Sequence, residues 1–476
     1  MKKQIKKLIL ALLVLSLAIS STGCVTGTIY GKPLDNASDE ETGSGTILLK
    51  NIMDAMRADD PDALNKMGWH YGQSDAETFE TYWHEWQDLK DKYGQPTASQ
   101  ITEAYEFGDD LVFVGALTME KGGTLYAQFE TTDAGLMVKA YLYEDPDTVL
   151  ADTKIPDGVT EEDITVGEGT DYPLAGKITY PAGAKAGDNL KAVVLVSGDG
   201  ANDMDFKAGN TYFYRDLAWG LAQEGIVSIR YDKRTLTYSD QITDENAPAE
   251  DFTVAFEYTD DANLAAAMLR DLDFVDPDQV YYAGHSQGAI VAPRADQEGG
   301  DYAGFIMINT SPRPWYDVIY DQYIHYGLID QSSEKIYYLV TKIKSERNWV
   351  AKGKYNDVKD SQLTTEFALT RPAAFWKDYF SFDYVDELEK LEKPTLILQG
   401  EADYQITTDR DFCVWQEELD GQSWAQLKSY PGLNHLMCPS QGCFAGHYKE
   451  YDMPARASED VIQDIASFIN QGSISK

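Results

Sequence analysis

The run Gly284-His285-Ser286-Gln287-Gly288 places a serine between two glycines. The residues just before it, 279–283, predict a buried strand, and those from 289 onward predict the start of a helix. A serine at such a turn is held in a strained backbone conformation, which lifts its hydroxyl above the sheet edge. The helix N-terminus then faces the negative charge that develops on an attacked carbonyl. The pattern therefore predicts that Ser286 is a nucleophile.

A serine nucleophile needs two partners, and candidates for both follow in the chain. An imidazole must take the hydroxyl proton, and a carboxylate must fix the tautomer of that imidazole and stabilise its cation. Asp403 comes three residues after the apolar run 394–400, and His435 lies on a loop after another predicted strand. We therefore interpret His435 as the base and Asp403 as the orienting acid.

Each partner has a competitor in the sequence. Glu401 lies close to Asp403, and His447 is the other histidine that follows it. The spacing from the end of the apolar run favours Asp403 over Glu401, and the shorter distance from the strand favours His435 over His447. His285 is adjacent to the nucleophile and cannot fold back as its base, so a residue that packs against or supports the site is the better interpretation.

A second glycine-rich turn follows the strand-like run 192–197, with the sequence Gly198-Asp199-Gly200-Ala201-Asn202. Serine hydrolases of this kind stabilise the oxyanion with two backbone N–H groups. One belongs to the residue after the nucleophile, here Gln287, and the other to the loop after such a strand. We expect Asp199 to supply the second donor, with Gly200 as the alternative. An ordinary glycine-rich turn is the competing interpretation, and the neighbouring triad candidates weigh against it.

Four runs, taken in order, resemble signatures of bacterial serine esterases of the α/β-hydrolase superfamily. They are residues 197–205, 229–234, 283–289 and 396–405, and the resemblance extends from about residue 156 to the C-terminus. Two positions depart from the family pattern: Ser197 replaces the usual histidine of the oxyanion loop, and Thr235 replaces a glycine. The departures concern the shape of the pocket and not the three triad candidates.

Apolar strand-like runs alternate with helical runs from about residue 160, which predicts an α/β fold with a doubly wound, mostly parallel sheet. The stretch at about 311–390 interrupts this alternation and is rich in aromatic residues. Because the resembled family carries a cap at this place, we interpret it as a helical cap over the active site. A plain surface insertion is the alternative. The hydrolase domain is placed at 150–476.

Residues 46–148 show helical spacings first and four strand-like runs afterwards, which predicts a separate α+β domain. It resembles the small, cone-shaped domain that often precedes such hydrolases. It contains no candidate triad residue. Aromatic residues at helical spacing, such as Trp83 and Trp86, are more typical of a core than of a ligand pocket.

The first residues have the pattern of a targeting segment. Four lysines fall within residues 1–7, the apolar run 8–19 is too short to span a bilayer, and small residues precede Cys24. This resembles a bacterial lipobox, which implies a lipoprotein signal peptide at 1–23, lipidation of Cys24 and a flexible tether at 24–45. An ordinary secretory signal with an incidental Cys24 is the alternative. The lipobox interpretation predicts a protein anchored to the extracytoplasmic face of a bacterial cell membrane.

Composition limits the partners. The net charge of −39 argues against binding nucleic acid or anionic lipid through a basic patch, so contact with the membrane is expected through the lipid anchor only. No cysteine and histidine spacing suits zinc, and neither a metal nor a cofactor is expected. Cys438 and Cys443 are close enough in sequence for a disulfide, and free thiols are an equal alternative.

These patterns together predict a lipid-anchored serine hydrolase that cleaves small, short-chain carboxylic esters through a Ser-His-Asp triad and an acyl-enzyme. A compact aromatic cap favours short acyl chains over long ones. Two alternatives stay open: a peptidase or amidase on the same fold, and a binding protein that uses an inactive hydrolase scaffold.

Overall fold

The computed structural model describes residues 32–33, 39–67, 75–107, 110–132, 136–243, 252–329, 334–364 and 366–474. The predicted signal peptide 1–23 and Cys24 lie outside the described residues. None of the helices within these ranges is long and apolar enough to cross a membrane.

The amino-terminal domain is an antiparallel five-stranded sheet with helices packed against it, and its strands follow one another in the order β1-β2-β3-β4-β5. The tight turn between the third and fourth strands has Gly122 and Gly123 at φ +93° and +83°, a region that favours glycine. The strands are β1 (Lys32–Pro33), β2 (Pro96–Phe107), β3 (Asp110–Met119), β4 (Thr124–Thr131) and β5 (Met137–Glu144). The helices are α1 (Asp39–Ala58), α2 (Pro61–Asn65) and α3 (Asp75–Tyr93).

The predicted tether at 24–45 is wrong in its last part, because helix α1 begins at Asp39 and belongs to the amino-terminal domain. The tether is predicted from a composition rich in small and polar residues, including glycine. In the structure Gly45 is a packing position, because a Cβ here would lie 2.7 Å from the ring of Phe113. The glycine therefore allows the helix to lie close to the sheet.

The hydrolase domain is built on a mostly parallel sheet, as predicted; it has eight strands, in the order β17-β16-β13-β12-β8-β11-β7-β6. The first six strands in that order pair in parallel, and β7 and β6 are antiparallel. The strands are β6 (Val159–Val166), β7 (Leu174–Pro181), β8 (Leu190–Val196), β11 (Val227–Tyr231), β12 (Val275–His285), β13 (Phe305–Ile308), β16 (Thr395–Gly400) and β17 (Ala425–Tyr430). A small separate hairpin contains β9 (Lys207–Ala208) and β10 (Thr211–Tyr212).

Helices cover both faces of this sheet, which confirms the predicted α/β fold class. In β8, Val194 and Val196 pack on one face, and Val193 and Leu195 pack on the other, because successive side chains of a strand alternate. A strand that is buried on both faces is therefore apolar throughout. The covering helices are α5 (Phe213–Gln223) and α16 (Glu459–Gln471) on one face, and α8 (Asp260–Arg270), α9 (Gln287–Ile290) and α10 (Ala292–Ala295) on the other.

The cap between β13 and β16 is helical, as predicted. Its helices are α11 (Trp315–Ile329), α12 (Glu334–Ala351), α13 (Ala373–Tyr379) and α14 (Tyr384–Leu391). It also contains an unpredicted hairpin of β14 (Phe367–Ala368) and β15 (Arg371–Pro372). Strands of two residues are too short to leave an alternating pattern. The remaining short helices are α4 (Pro146–Asp152), α6 (Arg234–Thr237), α7 (Ser239–Thr243) and α15 (Cys413–Glu418).

The candidate residues share one edge of the sheet. Ser286 follows β12, Asp199 follows β8, Asp403 follows β16 and His435 follows β17. These strands are parallel, so all four loops emerge at the carboxyl ends of the strands, where α/β proteins place their ligand sites.

Candidate active site

Ser286 lies at the turn between β12 and α9 with φ +54° and ψ −126°. A Cβ at Gly284 would lie 2.5 Å from Cα of Ala289, and one at Gly288 would overlap the carbonyl oxygen of Ser197. Both glycines are therefore required by the close crossing of backbone, as the sequence pattern predicts. The strained turn is held by neighbours, because the N–H of Ser286 donates to the carbonyl of Ile308 at 2.9 Å.

Asp403 and His435 form a buried pair, with 2.6 Å between Oδ2 of the carboxylate and Nδ1 of the imidazole. The residues are only 4% and 5% exposed. The other carboxylate oxygen of Asp403 accepts the N–H groups of Gln405 and Ile406 at 2.7 and 3.0 Å. The carboxylate is thus fixed by its own turn, and an Nδ1–H that donates to it leaves Nε2 of His435 as a proton acceptor.

The sequence competitors are engaged elsewhere. Glu401 accepts a hydrogen bond from the hydroxyl of Ser429 at 2.7 Å. Nδ1 of His447 accepts the N–H of Lys449 at 3.1 Å at the start of a short 3₁₀ turn. Burial lowers the pKa of His447 to about 3, so this histidine is neutral. The geometry favours Asp403 and His435 over both competitors.

His285, the residue before Ser286, contacts His435 directly. Its ring centroid lies 4.4 Å from that of His435, and its Nε2 donates to the carbonyl oxygen of His435 at 2.6 Å. Burial, with His435 nearby, lowers the pKa of His285 well below its usual value, so the ring is neutral. This agrees with the interpretation of His285 as a residue that packs against or supports the site, since it holds the backbone of His435.

Asn309, which follows β13, is a supporting residue that the sequence reasoning missed. Its Nδ2 donates to the carbonyl oxygens of Asn434 and His435 at 3.2 and 2.8 Å. Its Oδ1 accepts the N–H of Gly400 at 2.7 Å. One buried side chain therefore braces both loops that carry the candidate acid and base. The available signal was an asparagine at a strand end, which is also typical of an ordinary turn.

The glycine-rich loop lies directly against the serine, because a Cβ at Gly198 would be 2.8 Å from Cβ of Ser286. The carbonyl of Gly198 accepts hydrogen bonds from Asn202 Nδ2 at 3.1 Å and from Lys233 Nζ at 2.6 Å. In a trans peptide the C=O and N–H groups point in opposite directions. The N–H of Asp199, which shares this peptide unit, therefore points away from Lys233.

The two sequence departures can now be placed. The hydroxyl of Thr235, where the family pattern has glycine, donates to the carbonyl of Gly200 at 2.7 Å. Thr235 is thus a further anchor of the loop. Ser197 contributes backbone that crosses Gly288 closely.

The other predicted donor, Gln287, begins α9, and its side-chain Oε1 accepts the hydroxyl of Tyr258 at 2.8 Å.

Comparison with known proteins identifies the family. A model described as alpha/beta hydrolase family matches residues 193–442, which include Ser286, Asp403, His435 and the glycine-rich turn at 198–202. Esterase EstD from Thermotoga maritima is 32% identical over 328 residues, covering 69% of this chain and 70% of its own length. The chain belongs to the alpha/beta hydrolase family.

Two solved structures are similar to this chain at low sequence identity. A putative dipeptidyl aminopeptidase IV from Bacteroides ovatus is 13% identical, with a TM-score of 0.41, over 79% of this chain and 43% of that one. Est1E from Butyrivibrio proteoclasticus is 13% identical, with a TM-score of 0.35, over 57% of this chain and 91% of its own. The hydrolase thus spans less than half of the first protein. At these scores neither similarity carries a conclusion about substrate.

This hydrolase also has a buried ionic network beside the glycine-rich loop. Oε1 of Glu257 accepts from Lys233 Nζ and from Arg371 Nη2, both at 2.8 Å. The same Nη2 of Arg371 pairs with the carboxylate of Asp199. Burial lowers the pKa of Lys233, while Glu257 and Asp199 oppose that shift. Two cations and two anions thus balance one another where water is largely excluded.

Arg371 links this network to the cap. It lies on β15, after a two-residue turn in which Leu369 and Thr370 have φ +51° and +65°. Non-glycine residues adopt this conformation at a cost, and such strain is kept where the surrounding contacts enforce it. The sequence reasoning missed both Arg371 and Glu257, because a single arginine in an aromatic segment has no motif.

Metal and cysteine chemistry can be described briefly. Within the described ranges, no three His, Cys, Asp or Glu side chains are grouped as a metal site would require. Cys413, Cys438 and Cys443 are free thiols. Of the two alternatives for Cys438 and Cys443, a disulfide or free thiols, the structure therefore has the free thiols.

The buried network predicts a large effect of removing its cap residue. Arg371→Met leaves the carboxylates of Glu257 and Asp199 short of a cation, and we expect the free energy of unfolding to fall by about 3–5 kcal/mol. Urea denaturation measures this loss. The exposed Lys377 of α13 provides the matched control, since Lys377→Met should change stability by less than about 0.5 kcal/mol. Equal stability of the two variants would contradict a structural role for the network.

Proposed function

We propose that this hydrolase is a serine carboxylesterase with Ser286, His435 and Asp403 as its triad. The observation that carries the proposal is the 2.6 Å pair of Asp403 and His435, held beside a serine in a strained strand-to-helix turn. The identity of 32% to an esterase supports the choice of reaction. The order Ser, Asp, His along the chain is that of the family.

In the proposed mechanism, Oγ of Ser286 attacks the ester carbonyl while Nε2 of His435 removes its proton. The C–O bond to the alcohol then breaks, and His435 returns that proton to the leaving alkoxide. A water molecule attacks the acyl-enzyme by the same route, and Ser286 regains its proton as the acid departs. Asp403 accepts the Nδ1–H of His435 and stabilises the imidazolium without itself taking the proton.

The oxyanion of each tetrahedral intermediate needs donors that are already in place. We propose the backbone N–H groups of Asp199 and Gln287. Asp199 is supported by the anchored carbonyl of Gly198, which turns the N–H of the same peptide unit away from Lys233. Gln287 is supported by its place at the start of α9, where N–H groups lack helical partners. Gly200 is the alternative donor; its N–H shares a peptide unit with the carbonyl of Asp199, which accepts Nδ2 of Asn202 at 3.1 Å.

The proposed substrates are small esters with short acyl chains. Ser286 is only 5% exposed, and the aromatic cap packs onto the hydrolase core. A closed pocket of limited volume disfavours a long acyl chain, which must strain the cap or leave apolar surface in water.

A series of p-nitrophenyl esters tests both reaction and substrate. We expect kcat/KM to be highest for acyl chains of roughly C2–C6 and to fall for longer ones. Ser286→Ala should lower turnover by about 10³-fold or more, while Ser381→Ala, an exposed serine of the cap, should not. A preference for aminoacyl amides would favour a peptidase instead. Absence of any hydrolysis by the unaltered protein would favour a binding function.

We also propose that the protein is a lipoprotein on the extracytoplasmic face of a bacterial membrane. The support is the sequence alone, with its lysine-rich start, short apolar run and small residues before Cys24. A lipid at Cys24 would place the hydrolase next to the membrane without a spanning helix.

Cell fractionation tests the anchor. We expect the unaltered protein in the membrane fraction, and Cys24→Ser in the soluble fraction with altered processing, because the lipid is lost. Cys413→Ser is the control and should remain with the membranes. Membrane association that persists in Cys24→Ser would rule out the lipid as the anchor.

A further inference from the structure

The chain that follows His435 is long and has little regular structure. Between His435 and α16, residues 436–458 contain only one short 3₁₀ helix, Tyr448–Asp452. We call this segment the histidine loop. Loops of this length are either mobile or held by contacts with other parts of the protein. A mobile histidine loop would not keep His435 at a fixed place beside Ser286.

The amino-terminal domain supplies such contacts. Phe444 of the histidine loop is 2% exposed and packs edge-on against Tyr105 of β2, with ring centroids 5.4 Å apart. Val112 and Val114 of β3 complete this apolar cluster. Burial of a whole phenylalanine side chain removes a large apolar surface from water, which is favourable. The cluster therefore attaches the loop firmly to the sheet.

Polar contacts fix the register of this attachment. The side-chain oxygen of Gln128 on β4 accepts the N–H of Cys443 at 2.8 Å, and Gln128 is almost fully buried. A Cβ at Gly442 would lie 2.8 Å from the same oxygen, so the backbone approaches as closely as glycine allows. Lys449 pairs with Glu103 of β2 at 3.3 Å at the rim. Such directional contacts specify one position of the loop.

The attached part of the loop is connected to His435 by further hydrogen bonds. Buried Glu450 accepts the hydroxyl of Ser440 at 2.8 Å and the N–H of Gly446 at 3.4 Å. The N–H of Ser440 in turn donates to the carbonyl of Gly432 at 2.8 Å. The loop is thus bound back to the segment that leads into His435.

The residue before His435 closes the connection. The N–H of Asn434 donates to the carbonyl of Cys438 at 2.9 Å, and its Oδ1 accepts the N–H groups of Leu436 and Cys438 at 3.0 and 3.2 Å. A continuous path of packed and hydrogen-bonded groups therefore leads from Tyr105 of the amino-terminal domain, through the histidine loop, to Asn434.

We propose that the amino-terminal domain is a positioning element of the active site: its β2–β4 face holds the histidine loop and thereby keeps His435 aligned with Ser286. Phe444 is the principal positioning residue. This inference rests on the proposed function of His435, and it assigns the amino-terminal domain a role in turnover instead of in substrate capture.

Substitution of Phe444 in the full chain tests the inference. Phe444→Ala should lower kcat for the best short-chain ester by about 10- to 100-fold with KM changed by less than about twofold, because the proton acceptor is displaced and the pocket is not. Phe444→Leu keeps apolar volume and should recover most of the kcat. Phe305→Ala is the control, since Phe305 is fully buried at the amino end of β13, away from the site. It should lower thermal stability without lowering kcat, provided all assays are run well below each variant's Tm.

Hydrogen–deuterium exchange gives a second readout that does not require catalysis. We expect peptides covering 436–458 to exchange faster in Phe444→Ala than in the unaltered protein and in Phe305→Ala. Unchanged exchange there would overturn the inference, as would faster exchange with an unchanged kcat. If the unaltered protein hydrolyses no ester, the proposed function fails, and the alignment of His435 for catalysis fails with it. Exchange would then report only on whether the domain holds the loop.

Discussion

The hydrogen bond between Asp403 and His435 is the contact that the rest of the site serves. It joins loops that follow two neighbouring parallel strands, β16 and β17, and it is buried on all sides. A carboxylate and an imidazole can pair productively out of water only if both backbones are fixed. Asn309 fixes both at once, His285 holds the carbonyl of His435, and the turn at Asp403 supplies two N–H groups. The imidazole of His435 therefore has little freedom to move.

Charge is distributed in a way that suits this arrangement. The chain carries a net charge of −39, yet the charges beside the loop after β8 are balanced, with the buried Lys233 and Arg371 paired to the buried Glu257 and the partly exposed Asp199. Burying an unpaired charge would be costly, and the balanced network avoids that cost. It also connects the cap to the loop, because Arg371 belongs to β15 and Asp199 to the loop after β8.

Much of this could be predicted from local sequence. Ser286 and Asp403 each follow an apolar strand, His435 follows a more polar edge strand, and parallel strands bring their following loops to one edge of the sheet. The missed features depend on distant parts of the chain. Strand β6 is rich in acidic residues and lacks an apolar alternation. Gly45 lies in a segment whose composition suggests a tether, but in the structure it lies in a helix that packs against Phe113. Gln128 has no local signal of its contact with Cys443. Contacts between segments hundreds of residues apart leave no periodicity that a single sequence can reveal.

If His435 and Asp403 activate Ser286, the reactivity of its hydroxyl should depend on both residues, and covalent labelling measures that reactivity. A fluorophosphonate should react with the unaltered protein, and peptide mass spectrometry should place the adduct on Ser286. We expect the labelling rate to fall by on the order of 10³-fold or more in Asp403→Asn. The rate should be unchanged in Glu401→Gln, because the carboxylate of Glu401 contacts Ser429 instead of His435. An adduct on another residue, or equal labelling rates in these two variants, would contradict this activation.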